Sequence, residues 1–175
     1  MKLKVNTPKK EKEGIVHIGA DHAGFSLKEA LVAYLKKLDY EVVDHGAYLY
    51  DEFDDFPDFV APVGQAVSDR PNTVKGIVIG GSGQGEAMAA NQFPNVRAVV
   101  FYGDKMFQGS SIIKLSRQHN DANVLSLGAR FLTTSEAKKA VKEWLDTPFS
   151  GGYQYIRRIK KVEKILREVR LGKHF

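Results

Sequence analysis

The chain has 175 residues, 43% of them hydrophobic and 27% charged, with a net charge of +5 and no cysteine. That length suits one domain able to bury a core without a staple, and the missing cysteines exclude disulfides, thiolate metal sites and a cysteine nucleophile. No apolar run approaches the ~18 residues of a membrane span and no signal-peptide pattern opens the chain, which makes the cytoplasm the default compartment.

Residues 1–13 are polar and lysine-rich, carry Pro8, and read as a frayed leader. Ile15–Ile18 is expected as a first buried strand, followed by a turn at Asp21–Gly24. Apolar residues at 27, 30, 31, 34, 35 and 38 give Phe25–Leu38 helical spacing. Glu41–Asp44 reads as a second strand, and a long acidic and aromatic loop leads from it into a helix beginning near Pro57, a favourable first-turn proline. Gly76–Ile79 is the third strand, and the glycine-rich turn Gly80–Gly85 opens a short helix, Glu86–Asn91. Val96–Phe101 is the fourth strand, a helix ends near His119, Val124–Leu127 is the fifth strand, and Thr133–Leu145 is a helix capped by Thr or Ser. Residues 154–171 form a last helix with an apolar stripe at Ile159, Val162, Leu166 and Val169, which must pack on something. The positive charge gathers there: Arg157 to Lys173 holds eight Lys/Arg and two Glu. A single basic helix without an aromatic stacking motif is a weak nucleic-acid signal, and binding of a small anion explains it equally well. Strands separated by helices of these lengths imply βαβ units, hence one α/β domain with a doubly wound parallel sheet.

In such sheets ligands sit beyond the carboxyl ends of the strands, where strand order reverses. That rule directs attention to Asp21–Gly24, Tyr48–Asp58, Gly80–Glu86 and His119–Asn123. In Gly80-Gly81-Ser82-Gly83-Gln84-Gly85-Glu86, glycine lets the backbone approach a ligand and aim N–H groups at an oxyanion. The spacing is neither that of a dinucleotide fingerprint nor that of a P-loop, which disfavours a nucleotide-binding oxidoreductase. Glu86 either complements the dipole of the following helix or, facing a pocket, serves as a general base for a proton next to a carbonyl. Asp21 and His22 either bind hydroxyls or phosphate or form only a cap and a turn. His119 titrates near neutral pH and can act as acid and base, while Asn120 and Asp121 bind a ligand or make turns. A zinc site is not expected, because clustered histidine spacing is missing. Arg130, Arg157 and Arg158 carry guanidinium forks suited to phosphate, whereas Lys160, Lys161 and Lys164 read as a solvated face.

Taken in order, Asp21-His22-Ala23-Gly24, Gly46-Ala47-Tyr48, Asp55-Phe56-Pro57-Asp58, the glycine loop running to Ala89-Ala90-Asn91, Ser116–Asn123 and Gly151-Gly152 form a recognisable set. From about Ile15 to Ile159 the chain resembles the ribose-5-phosphate isomerase B family, which also contains the galactose-6-phosphate isomerase subunits. The resemblance implies a Rossmann-like sheet of five parallel strands flanked by helices, with residues 14–153 as the isomerase domain. Residues 154–175 are then a C-terminal helix belonging to that domain or to a dimer interface. It implies catalysis without metal or cofactor, and a homodimer or dimer of dimers whose active sites are shared between subunits. Glycine at Gly81 and glutamate at Glu86 resemble the branch of the family that uses a glutamate base in place of cysteine.

On that resemblance, His119 with Asp21 opens the furanose ring, and Glu86 moves the proton between neighbouring carbons. Ser82 and the N–H groups of Gly81, Gly83 and Gly85 stabilise the enediolate, and Asn120 binds sugar hydroxyls. Tyr48 lines the pocket, and His22 and Arg130, with Arg157 or Arg158, hold the phosphate. The implied reaction is aldose–ketose isomerisation of a small phosphorylated sugar, ribose 5-phosphate first, with neither nucleic acid nor membrane as partner. Two departures bear on the substrate. Where the family commonly has Arg-His-Gln-x-Arg after the double glycine, this chain has Tyr153-Gln154-Tyr155-Ile156-Arg157, and the segment Tyr102–Ser111 is long. A six-carbon sugar phosphate and a non-catalytic sugar-phosphate-binding paralogue are the alternatives.

Overall fold

A computed structural model describes residues 14–103 and 111–173. The expected leader, most of the long Tyr102–Ser111 segment and the last two residues lie outside the described residues. Chain order is β1 (Ile15–Ala20), α1 (Phe25–Lys37), β2 (Glu41–Asp44), α2 (Phe56–Asp69), β3 (Val74–Gly80), α3 (Gln84–Ala90), β4 (Ala98–Phe101), α4 (Ile112–Asn120), β5 (Val124–Gly128), α5 (Thr134–Asp146) and α6 (Tyr153–Arg170).

The five strands are all parallel, in the order β2-β1-β3-β5-β4. Strands buried on both faces read as continuous apolar runs, and β1, β3 and β5 do so as IVHIGA, VKGIVIG and VLSLG. The edge strands β2 and β4 are shorter and half-buried. Ile18, Ile77 and Leu125 gather with Leu31 and Leu35 of α1, Ile113 of α4 and Trp144 of α5 on one side of the sheet. On the other side Val60, Val63 and Val67 of α2 and Ala90 of α3 close over Val78 and Val124. The i, i+4 spacing of Leu27, Leu31 and Leu35 and the i, i+3, i+7 spacing of Val60, Val63 and Val67 are what turn those helix faces inward.

Strand order sets the place of the site. From β1 the chain leaves through α1 to β2 at one edge, and from β3 it leaves through α3 toward β4 at the other. The helices α1 and α3 lie on opposite faces, so the carboxyl ends of β1 and β3 flank an open crevice.

Two expectations change. The fourth strand begins at Ala98 and not at Val96, because Asn95 adopts a left-handed φ of 61° and the Arg97 N–H turns to Asn123 Oδ1 at 2.7 Å. The segment His119–Asn123 does not share an end of the sheet with the other three ligand candidates. It leads into β5, and a loop that enters a strand lies at the amino end: the Gly76 N–H at the start of β3 donates to Asn123 O.

The last helix, α6, stands apart. None of its side chains is buried, and it packs lightly beside α4. Its expected stripe meets no closed core; Ile159, Val162, Leu166 and Val169 line an open groove of about 710 Å³ against Val96–Val99 and the end of α4. No described helix is long and apolar enough to cross a membrane.

Candidate active site

The crevice is built from three loop ends. After β1, Gly24 N–H donates to Asp21 Oδ1 at 3.1 Å, which closes the Asp21–Gly24 turn and leaves Asp21 buried. After β3, Gly83 adopts φ 78°, a left-handed turn that glycine takes without strain. Its carbonyl accepts the Ser126 hydroxyl at 2.6 Å, which fixes the glycine loop to β5. After β5, Ala129 and Arg130 donate their N–H groups to Gly80 and Gly81 carbonyls at 2.8 and 3.1 Å.

The glycines of the loop leave room for two side chains. A Cβ on Gly80 would collide with the Glu86 carboxylate, and one on Gly81 would meet the Arg130 guanidinium at 3.1 Å. Glu86 is 5% exposed in the first turn of α3. Burial raises the proton affinity of its carboxyl and the negative charge of Asp21 adds to the effect, while a hydrogen bond from its own backbone N–H opposes them. A carboxylate desolvated in this way holds its proton above the ordinary carboxylate range and can act as a general base toward a bound ligand. Ser82 is exposed at the rim, its hydroxyl accepting the Gln84 N–H at 3.3 Å.

His22 lies at the β1 end of the crevice. Its Nδ1 is 2.7 Å from Asp54 Oδ1, and its backbone N–H donates to the same oxygen at 2.9 Å. The Asp54 hydrogen bond and the charges of Asp21 and Asp54 raise its proton affinity against desolvation and the nearby Arg130. Asp21, His22 and Asp54 present ligand atoms within 4.8 Å of one another. Within this group His22 Nδ1 pairs with Asp54 Oδ1, and Asp21 Oδ1 accepts the Gly24 N–H.

Asp21, His22, Gly81, Ser82, Gly83, Gly85, Glu86 and Arg130 thus belong to one neighbourhood. His119, Asn120 and Arg158 belong to another: they line the groove between α4, β4 and α6, whose walls include none of the first set. There the His119 ring stacks on Tyr155, with centroids 4.3 Å apart and planes 15° from parallel. Arg157 projects from the same helix over Tyr153, 5.7 Å from its ring centroid. Tyr48 donates its hydroxyl to Asp44 O at 2.7 Å and lies over the buried Lys28 ammonium, itself paired with Asp44. The tyrosine beside His22 is Tyr50, edge-on at 6.3 Å.

Sequence reasoning pointed to the segment Tyr48–Asp58 but gave no individual role to Asp54, Tyr50 or Phe56, whose ring backs Gly85. All three lie in the long loop after β2 or at its junction with α2. The acidic and aromatic composition of that stretch was the available signal.

Residues 16–164 match the model of the ribose/galactose isomerase family. The chain is 39% identical over 145 residues to ribose-5-phosphate isomerase B of Mycolicibacterium paratuberculosis, covering 82% of this chain and 86% of that one. It is 38% identical over 152 residues to the probable ribose-5-phosphate isomerase B of Mycoplasma genitalium, covering 87% and 93%. The crystal structure of the M. genitalium enzyme with bound ribulose-5-phosphate superposes with a TM-score of 0.83 at 37% identity, over 90% of this chain and 99% of that one. The Clostridium thermocellum ribose-5-phosphate isomerase B gives a TM-score of 0.79 at 38% identity, over 89% of this chain and 99% of that one. With the glycine loop, its glutamate and the Asp-His turn meeting at one crevice of this sheet, the chain belongs to the ribose/galactose isomerase family.

Proposed function

We propose that this chain is a cytoplasmic aldose–ketose isomerase that interconverts ribose 5-phosphate and ribulose 5-phosphate through an enediolate. The observation that carries the reading is Glu86, a carboxylate buried against Gly80 at the crevice, with its proton affinity raised by desolvation and by Asp21. In the open-chain aldose Glu86 takes the proton from C2, beside the carbonyl, leaving the electron pair in the enediolate, and returns that proton to C1, while the C2 hydroxyl proton passes to the C1 oxygen so that the carbonyl ends on C2. The proton removed is the proton restored, so the step is redox-neutral within the sugar and draws on no external hydride carrier. Ser82 and the N–H groups of Gly81, Gly83 and Gly85 bear the negative charge that develops on oxygen. His22 and Arg130 hold the phosphate.

Ring opening and the far end of the sugar call on His119, with Asp21, and on Asn120, while Arg158 or Arg157 completes the phosphate clamp. His119, Asn120 and Arg158 line the α6 groove, away from Glu86 in the same chain. We therefore assign them to the site of a second copy, in a homodimer whose partner covers the exposed stripe at Val162, Ile165 and Val169. A second substrate reading, a six-carbon sugar phosphate, rests on the replacement of the family's Arg-His-Gln-x-Arg by the segment Tyr153–Arg158 and on the long segment Tyr102–Ser111.

The test is a coupled isomerisation assay on five- and six-carbon aldose phosphates with EDTA present, comparing the wild type with Glu86→Gln. Turnover of ribose 5-phosphate that survives EDTA and collapses in the variant supports both substrate and base. Turnover of a six-carbon phosphate alone keeps the mechanism and moves the substrate. Binding without turnover on every sugar leaves a non-catalytic binding protein.

A further inference from the structure

Within the isomerase reading, on which this inference rests, we propose that Asp54 is a positioning residue: it fixes the His22 ring through Nδ1 and presents Nε2 to the anionic end of the substrate. Three independent features meet at this carboxylate. One oxygen, Oδ1, accepts both the backbone N–H and the ring Nδ1–H of the same histidine, at 2.9 and 2.7 Å. Two bonds from one residue to one atom hold the ring's orientation as well as its tautomer.

The second feature is burial. The loop around Asp54 is exposed, with Phe53 84% and Tyr50 64% accessible, and Asp51, Glu52 and Asp55 also face solvent. The Asp54 side chain is only 8% exposed. A turn in which Phe53 N–H donates to Asp51 Oδ1 and Asp54 N–H to Asp51 O carries it inward. Withdrawing one carboxylate of an acidic run from water costs free energy unless a charged partner answers it, and His22 is that partner.

The third is the other oxygen. Asp54 Oδ2 is buried without a hydrogen-bond partner among the described residues. With Oδ2 unpartnered, every hydrogen bond that the Asp54 side chain makes among the described residues goes to His22.

The groups facing His22 come from every neighbouring element: Asp54 and Tyr50 from the loop after β2, Asp21 from the end of β1, and Arg130 from the loop after β5. The two carboxylates outweigh the guanidinium and favour the imidazolium. With Nδ1–H committed to Asp54, the cation has Nε2–H to donate beside Arg130, a pair of donors suited to a phosphate monoester. Asp54 touches neither the substrate nor the reacting carbons in this scheme; it acts through His22.

The experiment follows the His22 ring by NMR in the full-length wild type and in Asp54→Asn, and measures kcat and KM for ribose 5-phosphate in both. The wild-type ring is expected to titrate above the ordinary imidazole value and the variant's ring to fall back toward it. Loss of a charge-assisted hydrogen bond raises KM about tenfold or more near pH 8, with KM changing more than kcat. The ratio of variant to wild-type KM shrinks near pH 5.5, where an imidazole with an ordinary value of about 6.5 is protonated without help. In a His22→Gln background, Asp54→Asn costs little further, since its effect passes through the ring.

A KM defect equal at both pH values, losses that add in the double variant, or a wild-type His22 that titrates at or below the ordinary value each overturns the proposal. The wild-type titration decides even where Asp54→Asn does not fold. A wild type that neither turns over nor binds ribose 5-phosphate sinks the isomerase reading and this role with it, and is told apart by being read on the unsubstituted protein.

Discussion

A base that must take a proton from carbon works best where water does not stabilise its charge, and Glu86, proposed above as that base, is held in such a place. Because the fold holds this proton more tightly than the unfolded chain does, the carboxyl favours folding below the ordinary carboxylate range. It opposes folding as pH rises through its higher folded-state value. Glu86→Gln is therefore expected to raise the thermal midpoint near neutral pH, with the gain fading in acid, while kcat falls by about 10²–10⁴, the usual worth of a general base. Thermal melts across pH beside the isomerisation assay check both; a variant that loses activity and stability together contradicts the assignment. The acid limb of kcat/KM should lie above the ordinary carboxylate range, and Asp21→Asn should move it to lower pH by removing a neighbouring charge. At this scale much was legible: the glycine loop, Glu86 and the Asp-His turn, each singled out in the sequence, lie together at one crevice. What composition could not separate was which glycine serves which side chain, Gly80 under Glu86 and Gly81 under Arg130. Asp54 was equally hidden, since Asp51, Glu52, Asp54 and Asp55 look alike until the loop folds one of them onto His22.

Elements announce themselves through local patterns, and the α5 start is the clearest case. Thr133 accepts the Glu136 N–H at 3.2 Å and Glu136 accepts the Thr133 N–H at 2.8 Å, a reciprocal capping box that the sequence T-T-S-E already spells out. Thr133→Ala should cost about 1 kcal/mol of stability, read as a lower urea midpoint at unchanged activity. The start of the sheet is less legible, because β1 and the residue after β2 bring together a histidine pair that no motif marks. His17 Nδ1 and His45 Nε2 are 2.8 Å apart, and the rings stack with centroids 5.0 Å apart. Burial pushes both imidazoles down, His17 further by the charges of His45 and Arg70, with Glu41 opposing; Asp44 opposes the shift at His45. The unfolded chain then binds more protons than the fold as pH drops below about 6.5, so the pair's stability is complete above that value and lost beneath it. His22 carries the opposite sign, so the test is a difference: His45→Asn should flatten the fall in urea midpoint between about pH 7 and pH 5 relative to wild type. An unchanged slope would exclude the pair as its source. The misplacement of His119–Asn123 also belongs to this scale. Polarity marked the segment as functional, but only strand direction tells that a loop entering β5 lies at the opposite end of the sheet from a loop leaving β3.

The whole molecule raises a question that one chain cannot answer alone, since the histidine expected to open the sugar ring faces a different cavity from the residue expected to move the proton. Alternation of strand and helix was enough to foresee the parallel sheet and the crevice between β1 and β3. The position of α6 was not legible, because its stripe and its charges are compatible with packing on its own domain or on another. In the structure polar tethers attach the helix to the body, Arg170 Nη2 to Gln92 O at 2.8 Å and Arg97 to Glu163 at 3.7 Å. The apolar stripe between them stays open along the groove. On the homodimer proposed above, a second copy covers this apolar surface. A self-complementary contact between two copies would bring His119, Asn120 and Arg158 of each to the Glu86 crevice of the other. This arrangement makes a quantitative prediction from two inactive proteins. Glu86→Gln lacks the base and His119→Ala lacks the ring-opening group, so each alone should be nearly inactive on ribose 5-phosphate. When the two are unfolded together in equal amounts and refolded, random pairing makes half the dimers mixed. In a mixed dimer one site carries both lesions and the other carries neither. Recovered activity should therefore approach about a quarter of the wild-type value per chain. Sites built within a single chain would give no recovery at any mixing ratio. Recovery without refolding, on mixing the native proteins, would add that the two copies exchange on the time scale of the assay.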